Sequence, residues 1–167
     1  MGGLIRRRSF GFAASLLLGF ALAIAPASAS ASTAGAETIS TAFTEDVVTG
    51  VVSGSFTATG TFTDSGSLSS DQFRIKDALG HTALTTAERT WVFTSQSGSF
   101  TAATQDVVTF SSACASIDGT WVVVSGTGAY ASLHGAGTLS GTTCIVAFPS
   151  AAGNWTYQGA VTLGSGS

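Results

Sequence analysis

The sequence predicts an all-β fold, a small antiparallel barrel of about eight strands in a single domain, closed by one disulfide. Three observations predict it. Apolar and polar residues alternate with a period of two over long stretches, as in Val52-Ser53-Gly54-Ser55-Phe56-Thr57-Ala58-Thr59-Gly60-Thr61-Phe62, which is the pattern of a strand with one buried and one wet face. Val, Phe, Trp and Thr are frequent, and no segment carries the 3.6-residue period of an amphipathic helix. Clusters of Gly, Ser, Asp and Pro punctuate the chain at short intervals, as they do in sandwiches and barrels.

Taken in order, Glu37 to Asp64 is strand territory, and the inward glycines at 54 and 60 read as bends or close approaches in a closing barrel. Asp64-Ser65-Gly66 supplies a turn. A strand then covers Leu68 to Lys76, Asp77-Ala78-Leu79-Gly80-His81 turns the chain, and another strand runs from Leu84 to Thr94 with Trp91 and Phe93 on one face. After a turn at Ser95 to Ser99, Phe100 and Val107-Val108-Thr109-Phe110 mark the next strand or strands. Gly119 opens Thr120-Trp121-Val122-Val123-Val124, and a glycine-rich corner leads to a short strand near Ala136 to Leu139. Cys144-Ile145-Val146-Ala147-Phe148 follows, and Pro149 to Asn154 turn into a last strand alternating Trp155, Tyr157, Gly159, Val161 and Leu163 with mostly polar residues. The strands at 121–124 and 145–148 are apolar on both faces and need cover on both, from a further layer or from a subunit interface in a homo-oligomer.

Residues 1–29 read as an export signal. Arg6, Arg7 and Arg8 precede an uncharged run from Phe10 to Ile24, and small residues recur through Ala25-Pro26-Ala27-Ser28-Ala29. Cleavage falls after Ala29, with Ala27 and Ala31 as alternatives. The apolar run is short of the roughly 20 residues of a spanning helix, so no stable membrane anchor is expected afterwards. Arg7-Arg8-Ser9-Phe10 matches part of the twin-arginine pattern, which leaves that export route open beside the general one. Residues 30–167 then form the single barrel domain, its ordered core at about 38–163, in a secreted, extracellular protein.

Export removes three of the six basic residues and none of the nine acidic ones, leaving a formal charge of −6. So few cations cannot track a phosphate backbone, which excludes nucleic acid as a partner. Cys114 and Cys144 are the only cysteines. An isolated pair in an oxidising compartment forms a structural disulfide. There is no Cys-x-x-Cys and no histidine cluster, so neither a metal nor another cofactor is implied.

The most distinctive segment is Gly126-Thr127-Gly128-Ala129-Tyr130-Ala131-Ser132-Leu133-His134-Gly135-Ala136-Gly137. It leads into a strand, so a dinucleotide or phosphate loop is excluded by context. Gly126 and Gly128 permit positive φ, Tyr130 and Leu133 pack inward, and Gly135 and Gly137 let the next strand start tightly. This corner, with the upstream Phe56-Thr57-Ala58-Thr59-Gly60-Thr61-Phe62-Thr63-Asp64-Ser65-Gly66, resembles that of the allene oxide cyclase-like barrels, which include the dirigent proteins and many secreted bacterial proteins. The resemblance spans about residues 50 to 163. It implies an eight-stranded barrel, often dimeric or trimeric, with an apolar lumen. It transfers no catalytic residue. A weaker similarity, through Asp118-Gly119-Thr120-Trp121, touches avidin-type barrels.

Trp91, Phe93, Trp121, Tyr130 and Trp155 are the candidate ligand-binding residues, because small-molecule sites are largely aromatic and apolar. The alternative is that these rings simply fill a narrow barrel. Arg74, Glu88 and Asp106 are candidate polar groups in the lumen, from a cluster that also holds Asp71, Lys76, Asp77, His81 and Arg89. The alternative there is a solvated hairpin with weak surface ion pairs. His81 and His134 read as surface residues, and no Gly-x-Ser-x-Gly elbow is present. With no catalytic set, the expected activity is binding of a small apolar ligand in the lumen. A cyclase- or dirigent-like enzyme that steers a reactive apolar intermediate is the alternative, and a structural or surface-interaction protein the third reading.

Overall fold

The computed structural model of the chain describes residues 33–78 and 84–164. Eight strands follow one another: β1 (Gly35–Asp46), β2 (Val52–Gly60), β3 (Asp64–Ala78), β4 (Leu84–Ser95), β5 (Gly98–Ser111), β6 (Cys114–Gly126), β7 (Leu133–Ala147) and β8 (Ser150–Leu163). Each pairs antiparallel with its sequence neighbours, and β1 also pairs with β8. The sheet therefore closes on itself and leaves no unpaired edge. Cys114 and Cys144, directly opposed on β6 and β7, form the disulfide. The expected export segment and the Leu79-Gly80-His81 part of the expected turn lie outside the described residues, as do the side chains of Asp71, Lys76 and Asp77. Among the described residues no helix is long and apolar enough to cross a membrane.

The strand boundaries correct the sequence reading: β3 runs through Asp77-Ala78, expected as part of a turn, and β8 starts at Ser150 instead of after Asn154. Asp64-Ser65-Gly66 is not a turn but the start of β3, and the chain reverses just before it. Gly119 does not open a strand; it lies in the middle of β6. The short strand at 136–139 and the apolar run from 144 to 147 belong to one strand, β7, which continues through Ser140-Gly141-Thr142, and Phe148 lies in the turn after it.

The last three misplacements involve glycine, and packing explains them: Gly119 faces Asp106, and the others face rings. Directly opposed residues of antiparallel strands share a face, with Cβ atoms about 5 Å apart. In this barrel the large inward rings face glycines across the ladder. Phe43 faces Gly54 and Gly153, Phe56 faces Gly66, and Phe100 faces Gly126. Trp121 faces Gly137, and Trp155 faces Gly141. A Cβ on Gly66 would lie 3.0 Å from Phe56 Cε1, and one on Gly159 would lie 2.8 Å from Trp121 Cζ2. These glycines make room for rings; they do not break the strand.

The rings fill most of the interior. Phe93 stacks on Phe100 at 4.5 Å, and Phe56 and Tyr157 meet Phe93 edge-on at 5.3 and 5.7 Å. Further along the axis Trp91, Trp155 and Phe43 form a second cluster, with centroids 4.8 to 5.4 Å apart. Two of the three indoles are anchored by hydrogen bonds, whereas the Trp91 Nε1 is buried without one. Trp121 Nε1 donates to the carbonyls of Thr138 and Gln158, and Trp155 Nε1 donates to Thr143 Oγ1.

The glycine-rich corner seals one end. Gly128 adopts φ 58° at the start of a 3₁₀ turn, Gly128–Tyr130, which drops the buried Tyr130 ring onto Phe62 and Phe100. Of the two glycines expected to take positive φ, only Gly128 does; Gly126 instead gives space to the Tyr130 backbone. The Tyr130 hydroxyl donates a short hydrogen bond to Asp64 Oδ2, which also accepts from Ser95 Oγ at 2.7 Å. These two hydroxyls hold the Asp64 carboxyl down at about 2, whereas burial and the Asp64 partner push Tyr130 up to about 12. Nearby, Glu37 accepts from the Phe62 amide, yet burial raises its carboxyl above the ordinary range.

The outer rows are mostly Ser and Thr, but Val122, Val124 and Val146 remain exposed. The outer cover that the two-faced strands call for is not supplied by any described segment of the chain.

Candidate functional site

The end opposite the corner carries small side chains where the other carries rings. Val108, Ile117 and Ala151 project inward from β5, β6 and β8, and together with Ala115 and Ile145 they wall a cavity of about 670 Å³. Trp155 lies at its inner limit. Val47, Val48 and Phe110 also line it while staying exposed, so its margin is apolar as well.

Its base is charged. Ala87, Arg89, Trp91 and Phe93 are successive inward residues of β4, so the strand's alternation carries Arg89 into the interior, where it is 5 % exposed. Its Nη2 donates to Glu45 Oε1 at 2.7 Å, the inward residue that ends the row Ile39, Thr41, Phe43 on β1. The guanidinium lies 5.1 Å from the Trp91 centroid and 5.8 Å from that of Trp155, within range of attraction by the ring faces. Asp106 enters from β5, 4 % exposed, by the same alternation through Thr104 and Val108. Its Oδ2 accepts from Thr104 Oγ1 at 3.0 Å. Its Oδ1 is buried without a hydrogen-bond partner and lies against Gly119, where a Cβ would come within 2.6 Å of it.

No family model, curated protein or solved structure matches this chain. The site is therefore read from its own geometry.

Of the five aromatic candidates only Trp155 lines the cavity. Trp91 lies beneath Arg89, Phe93 is enclosed by other rings, Trp121 is anchored to β7 and β8, and Tyr130 plugs the far end. Of the three polar candidates Asp106 is buried beside the cavity and Arg74 lines it from an exposed position. Glu88 points outward on β4, where Gln105 Nε2 donates to it at 3.3 Å. The phase of each strand sets this: Glu88 and Arg74 occupy the outward register, in which they oppose each other. Arg74 and Glu88 also border a groove of about 520 Å³ over the outer face, with Thr90, Gln105 and Thr120. His134 is exposed, as expected.

Sequence reasoning missed Arg89 and Glu45 as interior groups. The signal was present: both fall in phase with ring-bearing positions on their strands, Arg89 with Trp91 and Phe93, Glu45 with Phe43.

Burial drives the electrostatics. Loss of solvent raises the Asp106 carboxyl to about 6, against the Thr104 hydrogen bond and the positive charge of Arg89, which lower it. Tyr157, fully enclosed, is pushed well above the ordinary phenol range by burial and then by the Asp106 charge. Because the folded value of Asp106 lies above its unfolded one, the stability it contributes is complete below about pH 4 and disappears as pH rises through 6. Asp106→Asn, neutral at every pH, is expected to be more stable than the parent by about 2 kcal/mol at pH 7.5. The difference should vanish near pH 4 in urea denaturation. An Asn variant no more stable at pH 7.5 would show that the carboxylate is solvated or fully paired.

Proposed function

We propose that the chain is an exported barrel that binds a small, largely apolar molecule in the cavity opposite the glycine corner. The observation that carries this reading is the 670 Å³ space with apolar walls and a few convergent buried polar atoms. That is the size and make-up of small-molecule sites. Elsewhere in the barrel the rings pack on one another and leave the interior filled. The apolar margin of Val47, Val48 and Phe110 suits the passage of an apolar molecule.

The test is titration with the neutral fluorophore N-phenyl-1-naphthylamine, with Ala151→Phe as the blocked variant. Ala151 projects into the cavity, so a phenyl ring there occupies the ligand's volume. The parent is expected to bind saturably, and the variant more than about tenfold more weakly with an unchanged strand spectrum. Absence of saturable binding, or a variant that binds as the parent does, overturns the reading.

Export is part of the same proposal, since a cysteine pair joined as a structural disulfide fits an oxidising compartment. Mass spectrometry of the secreted form should find Ser30 at its N-terminus. A homo-oligomer covering the exposed Val122 and Val124 of β6 is expected in sedimentation, and a monomer at micromolar concentration counts against it.

A cyclase- or dirigent-like activity is the second reading. It is favoured by one observation, the ionisable Asp106 beside the cavity. It predicts enantiomeric excess in the product of an unsaturated epoxide, lost in Asp106→Ala. A racemic product formed at the buffer rate excludes it.

A further inference from the structure

We propose that the barrel docks mouth-first on a zwitterionic lipid surface, through three apolar hairpin tips that border the cavity. The choice of lipid as the occupant rests on the cavity being a ligand site.

Hairpin tips are ordinarily polar, because they project into water. At the cavity end they are not. Val48 and Val51 of the β1–β2 hairpin, Phe110 of the β5–β6 hairpin, and Val146 and Phe148 of the β7–β8 hairpin are 52 to 75 % exposed. The opposite end differs. Among the described residues its turns, at 61–63, 96–97 and 127–132, expose no large apolar side chain, and Phe62 and Tyr130 there pack against Phe100.

The three tips form one arc. The Val47 amide donates to the Pro149 carbonyl at 2.9 Å, and the Ile145 amide donates to the Ala113 carbonyl at 2.8 Å. Each tip is thereby tied to the next around the rim, from β5 through β8 to β2. A continuous exposed apolar patch marks an interaction surface.

Two observations select its occupant. The first is that the arc carries no charge: residues 47–51, 109–117 and 142–153 contain no Asp, Glu, Lys, Arg or His. Asp46, at its edge, turns its carboxylate back onto the Val48 and Thr49 amides, each at 2.9 Å. On the β3–β4 side of the mouth Arg74 stands opposite Glu88 in the ladder, so the two charges offset. The chain as a whole is acidic, with nine acidic residues against six basic ones, which disfavours an anionic membrane. A surface without net charge is the match.

The second is that the arc and the cavity share residues. Val48 and Phe110 line the cavity while staying exposed, so a folded partner seated on these tips would close the mouth. A lipid surface covers the tips and leaves the mouth open on a phase in which apolar molecules dissolve. The ligand then enters without crossing water.

The test sediments the secreted form with sucrose-loaded vesicles of phosphatidylcholine. The parent is expected to sediment with the vesicles, and the double variant Val48→Ser/Phe148→Ser to partition at least about tenfold more weakly with an unchanged strand spectrum. Val107→Ser, the same kind of change on the outer face of β5, should stay within about twofold of the parent. If the double variant loses its strand spectrum, Val48→Ser alone replaces it, with a loss of at least about threefold expected. A parent left in the supernatant overturns the proposal, and a lower oligomer mass in the double variant then assigns the arc to a second copy. A tip variant that binds as the parent does, or an equal loss in Val107→Ser, overturns the tips as the contact. Tighter binding to vesicles that contain phosphatidylglycerol overturns the choice of a zwitterionic surface. Titration with N-phenyl-1-naphthylamine in solution reads the cavity separately. A protein that binds the fluorophore but not the vesicles loses the docking surface and keeps the ligand site. One that binds the vesicles but not the fluorophore loses the ligand site, while the tips remain the contact.

Discussion

Trp91→Ala is expected to destabilise the barrel by about 4 kcal/mol, seen as a fall of roughly 12 °C in Tm. The indole is wholly buried and holds three neighbours at once. Trp155 meets it at 4.8 Å, Phe43 at 5.3 Å, and the Arg89 guanidinium lies over its face. Truncation leaves a void that a closed sheet fills poorly, because every strand is fixed by ladders on both sides. It also removes the polarisable surface beneath a buried cation, so the Arg89–Glu45 pair loses support on the side away from the cavity. Trp91→Phe should recover more than half of the loss by refilling the space. Urea denaturation of the two variants at pH 7 reads both effects. A loss below about 1.5 kcal/mol for the alanine variant would mean that the interior collapses onto the void, and that the cavity end is more plastic than its packing implies.

The same cluster shows what could be read in advance. Alternation with a period of two is a direct projection of the strand, so the barrel and the inward set of rings were legible, as was the disulfide of the two cysteines, which joins neighbouring strands and leaves closure to the β1–β8 ladder. Glycine was the ambiguous letter. In sequence Gly119 and Gly141 look like the punctuation of a turn. In the sheet they are the spaces opposite, or beside, a group that needs room: Asp106 in one case and Trp155 in the other. Only the cross-strand register distinguishes these roles, and register is a long-range property.

The charged groups illustrate the other limit. Asp106 was singled out for its type, but its position was decided by phase, which it shares with Thr104 and Val108. Arg89 was assigned to a hairpin's charge cluster although it lies in phase with Trp91, because composition was allowed to outweigh periodicity. The cavity was not legible at all. It arises where alanine and valine on β5, β6 and β8 happen to reach the same level of the barrel, and no local pattern on any one strand records that coincidence.

Replacing both Cys114 and Cys144 by alanine is expected to cost about 3 kcal/mol, or roughly 10 °C in Tm. The two residues are directly opposed in the β6–β7 ladder with Cα atoms 4.0 Å apart, and the Ile145 amide donates to the Ala113 carbonyl beside them. The ladder therefore already holds these strands in register. The bridge acts mainly on the unfolded chain, whose loop between the two cysteines, 30 positions apart, it closes. That argument makes a second, sharper expectation. Cys114 lines the cavity, yet the folded double variant should bind the naphthylamine probe within about twofold of the parent, because the wall is positioned by hydrogen bonds and not by sulfur. Denaturation and probe titration on the same preparation separate the two effects. If affinity collapses while stability barely changes, the disulfide is shaping the site directly, and the loop-closure account of its role is wrong.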